Sequence, residues 1–234
     1  MQLFYLPNLD KNSKKAAFSK EESRHLFKVL RKKIDEIILI TNGKNIFFNG
    51  KISSISKNNC EVDILNFEIK DKLNYSLHIV ISPLKSNERF EWFLEKASEI
   101  GISEITPIIC KRSERKFINK KRLNKVLISA MKQSLKAHHP ILNPITTLKD
   151  FYKKKFNDEL FIAHCNNSEK EFLINCLKPK TKNIVLIGPE GDFTENEVKK
   201  AIDLGFKPVS LGKSRFRAET AAIIATHTVS IVNM

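Results

Sequence analysis

The chain has 234 residues, enough for one large domain or two small ones, and 41 Lys and Arg stand against 26 Asp and Glu. The resulting net charge of +15 favours a polyanionic partner such as nucleic acid, with the lysine bias of an AT-rich genome as the alternative explanation. The four cysteines have no CxxC spacing, which argues against a disulfide framework and a metal site. The sequence has no apolar run of membrane-spanning length and no signal peptide, which argues against a membrane anchor. We therefore expect a cytoplasmic protein.

Residues 1–72 are predicted to form a small β-rich domain. Ser19 and Glu22 have the spacing of a capping box at the start of a short helix. The predicted strands that follow span residues 37–40, 45–48, 51–55 and 60–65. Asn-Gly pairs at 42–43 and 49–50 predict hairpin-type turns between the first three of them.

Residues 73–234 alternate between strands and helices, which predicts a mostly parallel sheet. The predicted strands span residues 76–81, 105–109, 160–163, 184–187 and 208–211. The predicted helices are an apolar-faced helix ending at Gly101, a basic helix at 119–138, a helix at 195–204 and a terminal helix from Ala218.

The loop after the strand at 184–187 carries two glycines, Gly188 and Gly191, and leads into a helix. Thr194 and Glu197 have capping-box spacing at the start of that helix. Open α/β sheets bind ligands where a parallel strand ends and a helix begins, and glycines leave backbone groups uncovered for a close approach. An ordinary turn that uses glycines for its geometry is the alternative interpretation.

A second loop repeats this arrangement between the strand at 208–211 and the terminal helix. Gly212 permits a turn, and the helix begins beside Arg217 and Glu219. Two glycine turns at the carboxyl ends of strands can share one ligand, and nearby helix N-termini favour an anionic or carboxylate group.

Several stretches of this sequence form a recognisable combination. They are Leu186-Ile187-Gly188-Pro189-Glu190-Gly191, Leu211-Gly212 followed after four residues by Arg217-Ala218-Glu219-Thr220-Ala221, Arg89-Phe90-Glu91 with Glu99-Ile100-Gly101-Ile102, and Phe4-Tyr5 with residues 25–31. In this order they resemble the RsmE-type RNA methyltransferases of the SPOUT superfamily, which methylate N3 of a uridine in small-subunit ribosomal RNA. Asp192 departs from the family, which usually has a second glycine there, and residues 131–140 lack the usual acidic residue and arginines.

The resemblance implies an α/β fold with two domains. Residues 1–72 would form a PUA-like, RNA-binding barrel, and residues 73–234 a SPOUT domain with a C-terminal trefoil knot. The family's cofactor is S-adenosylmethionine, its target is uridine 1498 of 16S ribosomal RNA, and its substrate is expected to be the assembled small subunit. The site is built jointly by two subunits of a homodimer, and the apolar terminal helix agrees with such an interface.

The resemblance also implies the site residues. Those expected to bind the cofactor are Leu186, Ile187, Gly188, Pro189, Glu190, Gly191, Ser210, Leu211, Gly212, Phe216 and Arg217. We expect Arg217 to stabilise negative charge that develops on the uracil oxygens. Glu219 either accepts from a substrate group or holds Arg217 in place, and we favour the second role. No histidine is placed as a base.

Two basic stretches are candidates for RNA contacts. Arg24, His25, Lys28, Arg31 and Lys32 have spacings that let several share a helix face, and Lys111, Arg112 and Arg115 form a basic loop after a strand. A solvated charged face is the alternative for the first stretch. Trp92 is expected in the core or at an interface. A rival hypothesis for the whole chain is a non-catalytic RNA-binding protein that has lost its cofactor.

Overall fold

The computed structural model describes residues 2–166 and 169–234, so that Met1, Asn167 and Ser168 lie outside the description. The chain divides into two compact units. The first comprises the residues up to Lys72 together with Met131–His139, and the second comprises Leu73–Ala130 and Pro140–Met234. We expected residues 73–234 to form one domain, and the segment Met131–His139 instead packs with the first unit.

The first unit is built on a five-stranded sheet. Its elements are β1 (Leu3–Tyr5), β2 (Lys15–Ala17), α1 (Lys20–Arg24), a π-helical turn (His25–Val29), β3 (Ile37–Thr41), β4 (Ile46–Ile55) and β5 (Cys60–Ile69). The strand order is β1-β3-β4-β5-β2, and every pairing except β1 with β3 is antiparallel. Among the residues described, the two end strands are not paired with each other, so hydrogen bonding does not close the predicted barrel. Alternate residues of β4, such as Phe48 and Ile52, are buried in its core.

The Asn-Gly pair at 49–50 does not form a turn, and this prediction was wrong. β4 runs through both residues, and the register against β5 shifts between Asn49 and Gly50, as in a β-bulge. A Cβ atom on Gly50 would lie 2.9 Å from Cδ1 of Ile40. The glycine therefore serves close packing inside the sheet. The pair at 42–43 does connect β3 to β4, and Gly43 has φ +73°.

The predicted helix 119–138 is shorter than expected. Its last predicted residues, 134–138, belong to the first unit and are not helical. The helix stops at Gln133, and Leu135 has φ +51°, which breaks the helical path. The Ala137 carbonyl accepts a 2.9 Å hydrogen bond from the Asn45 amide, and the ring of His139 stacks on Tyr5 at 5.7 Å. Burial lowers the pKa of His139 to about 4.

The second unit is an eight-stranded parallel sheet with helices. Its strands are β6 (Ser76–Ile81), β7 (Glu104–Ile109), β8 (Ile141–Leu142), β9 (Thr146–Thr147), β10 (Glu159–Ala163), β11 (Glu171–Phe172), β12 (Lys182–Ile187) and β13 (Lys207–Ser210). Its helices are α2 (Asn87–Ile100), α3 (Lys120–Gln133, of which residues 131–133 belong to the first unit), α4 (Leu148–Phe151), α5 (Leu173–Cys176), α6 (Glu195–Asp203) and α7 (Ala218–Val232). The order is β11-β13-β10-β12-β6-β7-β8, with β9 beside β7. The predicted parallel sheet is confirmed.

The sheet of the second unit is covered on both faces, which explains its continuous apolar strands. Along β6, Ile79 and Ile81 belong to a core cluster with residues of α2 and α7. The intervening Val80 belongs to a separate cluster with residues of α4 and α6. Successive side chains of a strand point to opposite faces, so the two clusters lie on the two sides of the sheet.

Candidate functional site

The strand order brings three strand ends together. β10 lies between β12 and β13, and Ala163 at its end pairs with both Ile187 and Val209. All three strands are parallel, so the segments that follow them emerge side by side. Those segments begin with His164, Gly188 and the Ser210 turn, and they line a single cleft of about 690 Å³. The two glycine loops predicted from the sequence therefore do share one cleft.

Most of the residues expected around a cofactor line this cleft. They are Ile187, Gly188, Pro189, Glu190, Ser210, Leu211, Gly212, Phe216, Arg217 and also Glu219. Leu186 and Gly191 do not. The side chain of Leu186 is fully buried in the core on the α6 side, since it alternates with Ile187 along β12. The carbonyl of Gly191 instead accepts a 2.9 Å hydrogen bond from Nη1 of Arg112.

The loop after β12 is held in shape by its own packing and by the start of α6. The predicted capping box is present: Thr194 Oγ1 accepts from the Glu197 amide at 3.3 Å, and Glu197 Oε2 accepts from the Thr194 amide at 2.8 Å. A Cβ atom on Gly188 would lie 3.1 Å from the ring of Phe193, which is fully buried. A side chain at position 188 would therefore crowd the Phe193 ring.

Asp192, the departure from the usual glycine, adopts a left-handed conformation with φ +64°. Aspartate tolerates this region better than most residues because its side chain can hydrogen-bond locally. Its Oδ1 accepts from the Phe193 amide and its Oδ2 from the Cys165 amide, each at 2.8 Å. The side chain thus offsets the backbone strain and ties this loop to the end of β10.

The loop after β13 depends on contacts within itself. The Ser210 hydroxyl donates to the Gly212 carbonyl at 3.0 Å and accepts from the Gly212 amide at 3.3 Å. A Cβ atom on Gly212 would lie 3.0 Å from the Phe216 ring. Arg217 is exposed at the N-cap position of α7, where its side chain makes no capping hydrogen bond. Its guanidinium is therefore accessible at the edge of the cleft.

The sequence analysis favoured a role in which Glu219 holds Arg217 in place, but Glu219 pairs with a different arginine. Its carboxylate, with the residue only 6% exposed, forms an ion pair with Arg89, Nε to Oε1 3.8 Å. Arg89 extends from α2 and lines the same cleft. Sequence reasoning treated Arg89 only as part of a matched motif, and its distance along the chain from Glu219 hid this pairing.

His164 is a site residue that sequence reasoning missed. It directly follows β10, lines the cleft and is only 9% exposed. Both ring nitrogens are buried without a hydrogen-bond partner among the described residues. Desolvation by burial lowers its pKa, the nearby Lys170 lowers it further and Asp192 opposes this shift. Its position after an apolar strand was the one available signal.

The basic stretch of the first unit does not form a simple helical face. Arg24 ends α1, His25 and Lys28 lie in the π-helical turn, and Arg31 follows with φ +51°. The wider π-helical spacing interrupts the α-helical face expected for this stretch, and its role in RNA binding stays a prediction. Arg24, Lys28 and Arg31 are nevertheless exposed, and the exposed ring of Phe27 lies among them in sequence. Lys32, by contrast, pairs with Glu36 at 2.7 Å.

The second basic stretch braces the first loop. Arg112 donates to the Gly191 carbonyl, and the Lys111 amide donates to Glu197 Oε1 at 2.8 Å. Arg115 donates to Asn87 and lies 5.7 Å from the centre of the Phe117 ring. Arg112 and Arg115 are therefore already engaged within the protein, while the Lys111 residue is exposed.

Other features bear on the class of site. Within residues 2–166 and 169–234, no group of three or more His, Cys, Asp and Glu could hold a metal ion. The same part of the chain has no helix long and apolar enough to cross a membrane. Trp92 is 45% exposed and therefore outside the core. It lines a second cavity of about 670 Å³, which shares Arg89, Arg217 and Glu219 with the main cleft.

Comparison with known families defines the class of protein. A family model described as an RNA methyltransferase domain matches residues 71–230. A model described as an RNA methyltransferase PUA domain matches residues 18–65. The chain therefore carries an RNA methyltransferase domain and an RNA methyltransferase PUA domain.

The relatives narrow this class. The ribosomal RNA small subunit methyltransferase E of Buchnera aphidicola subsp. Acyrthosiphon pisum is 33% identical over 218 residues, which cover 89% of this chain and 85% of that protein. The protein of the same name from Rickettsia conorii is 28% identical over 233 residues, which cover 99% and 95%. The chain belongs to the ribosomal RNA small subunit methyltransferase E family.

Solved structures agree with this assignment. A probable rRNA-methyltransferase from Porphyromonas gingivalis is 33% identical, with a TM-score of 0.92 over all of this chain and 98% of the other. The ribosomal RNA small subunit methyltransferase E of Neisseria gonorrhoeae, solved with bound S-adenosyl methionine, is 26% identical, with a TM-score of 0.88 over 100% and 98%.

Proposed function

We propose that this protein transfers a methyl group from S-adenosylmethionine to N3 of one uridine in 16S ribosomal RNA, the family's uridine 1498. The observation that carries the proposal is the convergence of both glycine loops on one cleft with Arg217 at its edge. The solved relative with bound S-adenosyl methionine supports the choice of cofactor.

The residues of the cleft fit this cofactor. S-adenosylmethionine is elongated, with an adenine at one end and an amino-acid group at the other. Backbone of both glycine loops and the Phe216 ring line the cleft, so hydrogen-bonding groups and an apolar face are available to the two ends of the ligand. The unpartnered ring nitrogens of His164 supply buried polar groups that a ligand would satisfy.

The chain's own residues would then orient the base and stabilise charge. When bound, the cofactor supplies a methyl group on a sulfonium, which is already a good electrophile. Loss of the N3 proton leaves negative charge on the uracil oxygens, and the planar fork of Arg217 can donate to them. The Glu219 carboxylate would act on Arg89, and so fix a second guanidinium at the same cleft.

The cavity beside the main cleft is our proposed place for the target uridine. It shares Arg89, Arg217 and Glu219 with the cofactor cleft, so a base there would lie next to the methyl donor. The half-exposed indole of Trp92 offers a face on which an unstacked base can stack. Trp92 would then be a stacking platform, whereas the sequence analysis expected it to fill the core or an interface.

The RNA and assembly proposals extend this site. The exposed cations Arg24, Lys28 and Arg31 of the first unit, together with His25, would contact RNA phosphates of the small subunit in the cytoplasm. Lys111 of the second unit, which is also exposed, would do the same. Two copies would form a homodimer through α7, on which Ile231 remains 46% exposed. From the family resemblance we also propose a C-terminal trefoil knot for this chain.

A methylation assay tests this function. Assembled small subunits and naked 16S RNA, both from a strain that lacks the modification, are incubated with the purified protein and S-adenosylmethionine. Mass spectrometry of the digested nucleosides then identifies the product. We expect one N3-methyluridine per subunit particle and little on naked RNA. Methylation of another atom or base would overturn the proposal.

A further inference from the structure

We propose that the imidazole of His164 binds the ribose hydroxyls of the cofactor. This inference rests on the proposed function, since it assigns one residue of the cleft to one part of S-adenosylmethionine.

The position of His164 is central. β10 is the strand between β12 and β13, so the residue that follows it lies between the two glycine loops. A ligand held at its ends by these loops presents its middle to His164. In S-adenosylmethionine the ribose lies between the adenine and the amino-acid end. The geometry therefore brings the ribose, rather than either end, to this imidazole.

The nitrogens of His164 require a partner. Both are buried, and neither bonds to a described residue, which costs free energy that a bound ligand would recover. The backbone amide of the next residue, Cys165, donates its hydrogen bond to Asp192 Oδ2 and is therefore not free to bind a ligand. The imidazole is thus left as a polar group at the end of β10 with unused hydrogen-bonding capacity.

The charge state of His164 favours hydroxyls over ionic groups. Charged residues facing it are Lys170 and Asp192, and the rest of the cleft carries Arg89, Glu190, Lys213, Arg215, Arg217 and Glu219. Burial disfavours the imidazolium, and a cationic ring would repel the sulfonium. A neutral imidazole has one donor and one acceptor, and each ribose hydroxyl can both donate and accept. The two groups match without any net charge.

Binding of two ligands to the wild type and to two variants of His164 tests the inference. Calorimetry would measure S-adenosylhomocysteine and its 2′,3′-dideoxyribosyl analogue against the wild type, His164→Leu and His164→Asn. We expect His164→Leu to weaken S-adenosylhomocysteine about tenfold, and the dideoxy analogue hardly at all. His164→Asn keeps a donor and an acceptor and should recover part of the loss. His139→Asn changes a buried histidine of the first unit that also has an unpartnered ring nitrogen, so it is the matched control and should change neither affinity.

The outcomes separate the two levels of the argument. Equal losses for both ligands, or no loss for either, would overturn the role of His164 while the proposed function stands. Failure of the wild type to bind S-adenosylhomocysteine would overturn the proposed function itself. Thermal unfolding checks that each variant folds. If His164→Leu does not fold, ¹⁵N-histidine spectra of the wild type decide, because only the ligand with hydroxyls should shift the ring nitrogens of His164.

Discussion

The two loops that form the cleft are built differently. The loop at 188–193 is braced by distant segments: Arg112 donates to the Gly191 carbonyl, the Lys85 amide donates to Glu190 Oε1 at 2.9 Å, and Asp192 accepts from the Cys165 amide. The loop at 210–217 is held by Ser210 and by the Phe216 ring over Gly212, both within the loop. Its middle residues, 213–215, are exposed.

This difference suggests a division of tasks. A braced loop keeps its shape before the ligand arrives, which lowers the ordering cost of binding. The loop at 210–217 has its side-chain hydrogen bonds within itself, although Leu211 packs on the core, so it can adjust more than the braced loop. It carries Arg217, the residue that we assign to the chemistry. Changes in the first loop should therefore alter stability and cofactor affinity. Changes in the second should alter cofactor affinity or turnover with less effect on stability.

The largest expected effect is that of Arg217→Ala on methyl transfer. The guanidinium acts on charge that develops only as the N3 proton leaves, so its loss should lower the rate by about 10²–10³ while cofactor affinity changes little. Arg217→Lys should rescue little, because an ammonium cannot reproduce a planar fork. Light scattering before the assay checks that the assembly state is unchanged. Near-normal turnover would place the chemistry on another residue.

Replacing each loop glycine by valine should have different effects on stability in the two loops. Gly188→Val drives a branched side chain into the buried Phe193 ring, so the free energy of unfolding should fall by about 1–3 kcal/mol and cofactor binding should be lost with it. Gly212→Val meets the Phe216 ring of the adjustable loop, so cofactor binding should be lost with a smaller change in Tm. Calorimetry and thermal unfolding of both variants would show whether this contrast exists. Equal Tm values for the two variants would contradict the proposed difference between the loops.

Asp192 offers a finer test of the braced loop. Asp192→Ala leaves a non-glycine residue at φ +64° without its two hydrogen bonds, so unfolding should become easier by about 2 kcal/mol. Asp192→Gly loses the same bonds but relieves the backbone, and should be less destabilised. Chemical denaturation of both variants measures this order. A reversed order would mean that backbone strain does not matter here.

The smallest effect on the cleft should come from charges outside both loops. Replacing Arg24, Lys28 and Arg31 together should weaken RNA binding and reduce its salt slope by somewhat under one unit per lost phosphate contact. Cofactor affinity should remain that of the wild type. Filter binding across a salt series measures the slope, and an unchanged slope would mean that this surface is only solvated.

The sequence predicted local features well and distant contacts poorly. The capping box joins residues three apart, and both it and the start of α7 at Ala218 agree with prediction. The bond from Arg112 to Gly191 joins residues 79 apart, and no local pattern could indicate it. His164 was missed for the same reason, because its importance comes from neighbouring strands. The Asn-Gly pair at 49–50 led to a wrong turn prediction, because the glycine there allows close packing against Ile40 within the sheet.

The most direct test of the account is a crystal structure of the protein with S-adenosylhomocysteine. The account predicts ligand density in the cleft between residues 188–192 and 210–217, with backbone groups of both loops within hydrogen-bonding distance. It also predicts that the loop at 210–217 shifts more than the braced loop at 188–193. Ligand density elsewhere, or contacts to only one loop, would contradict the account.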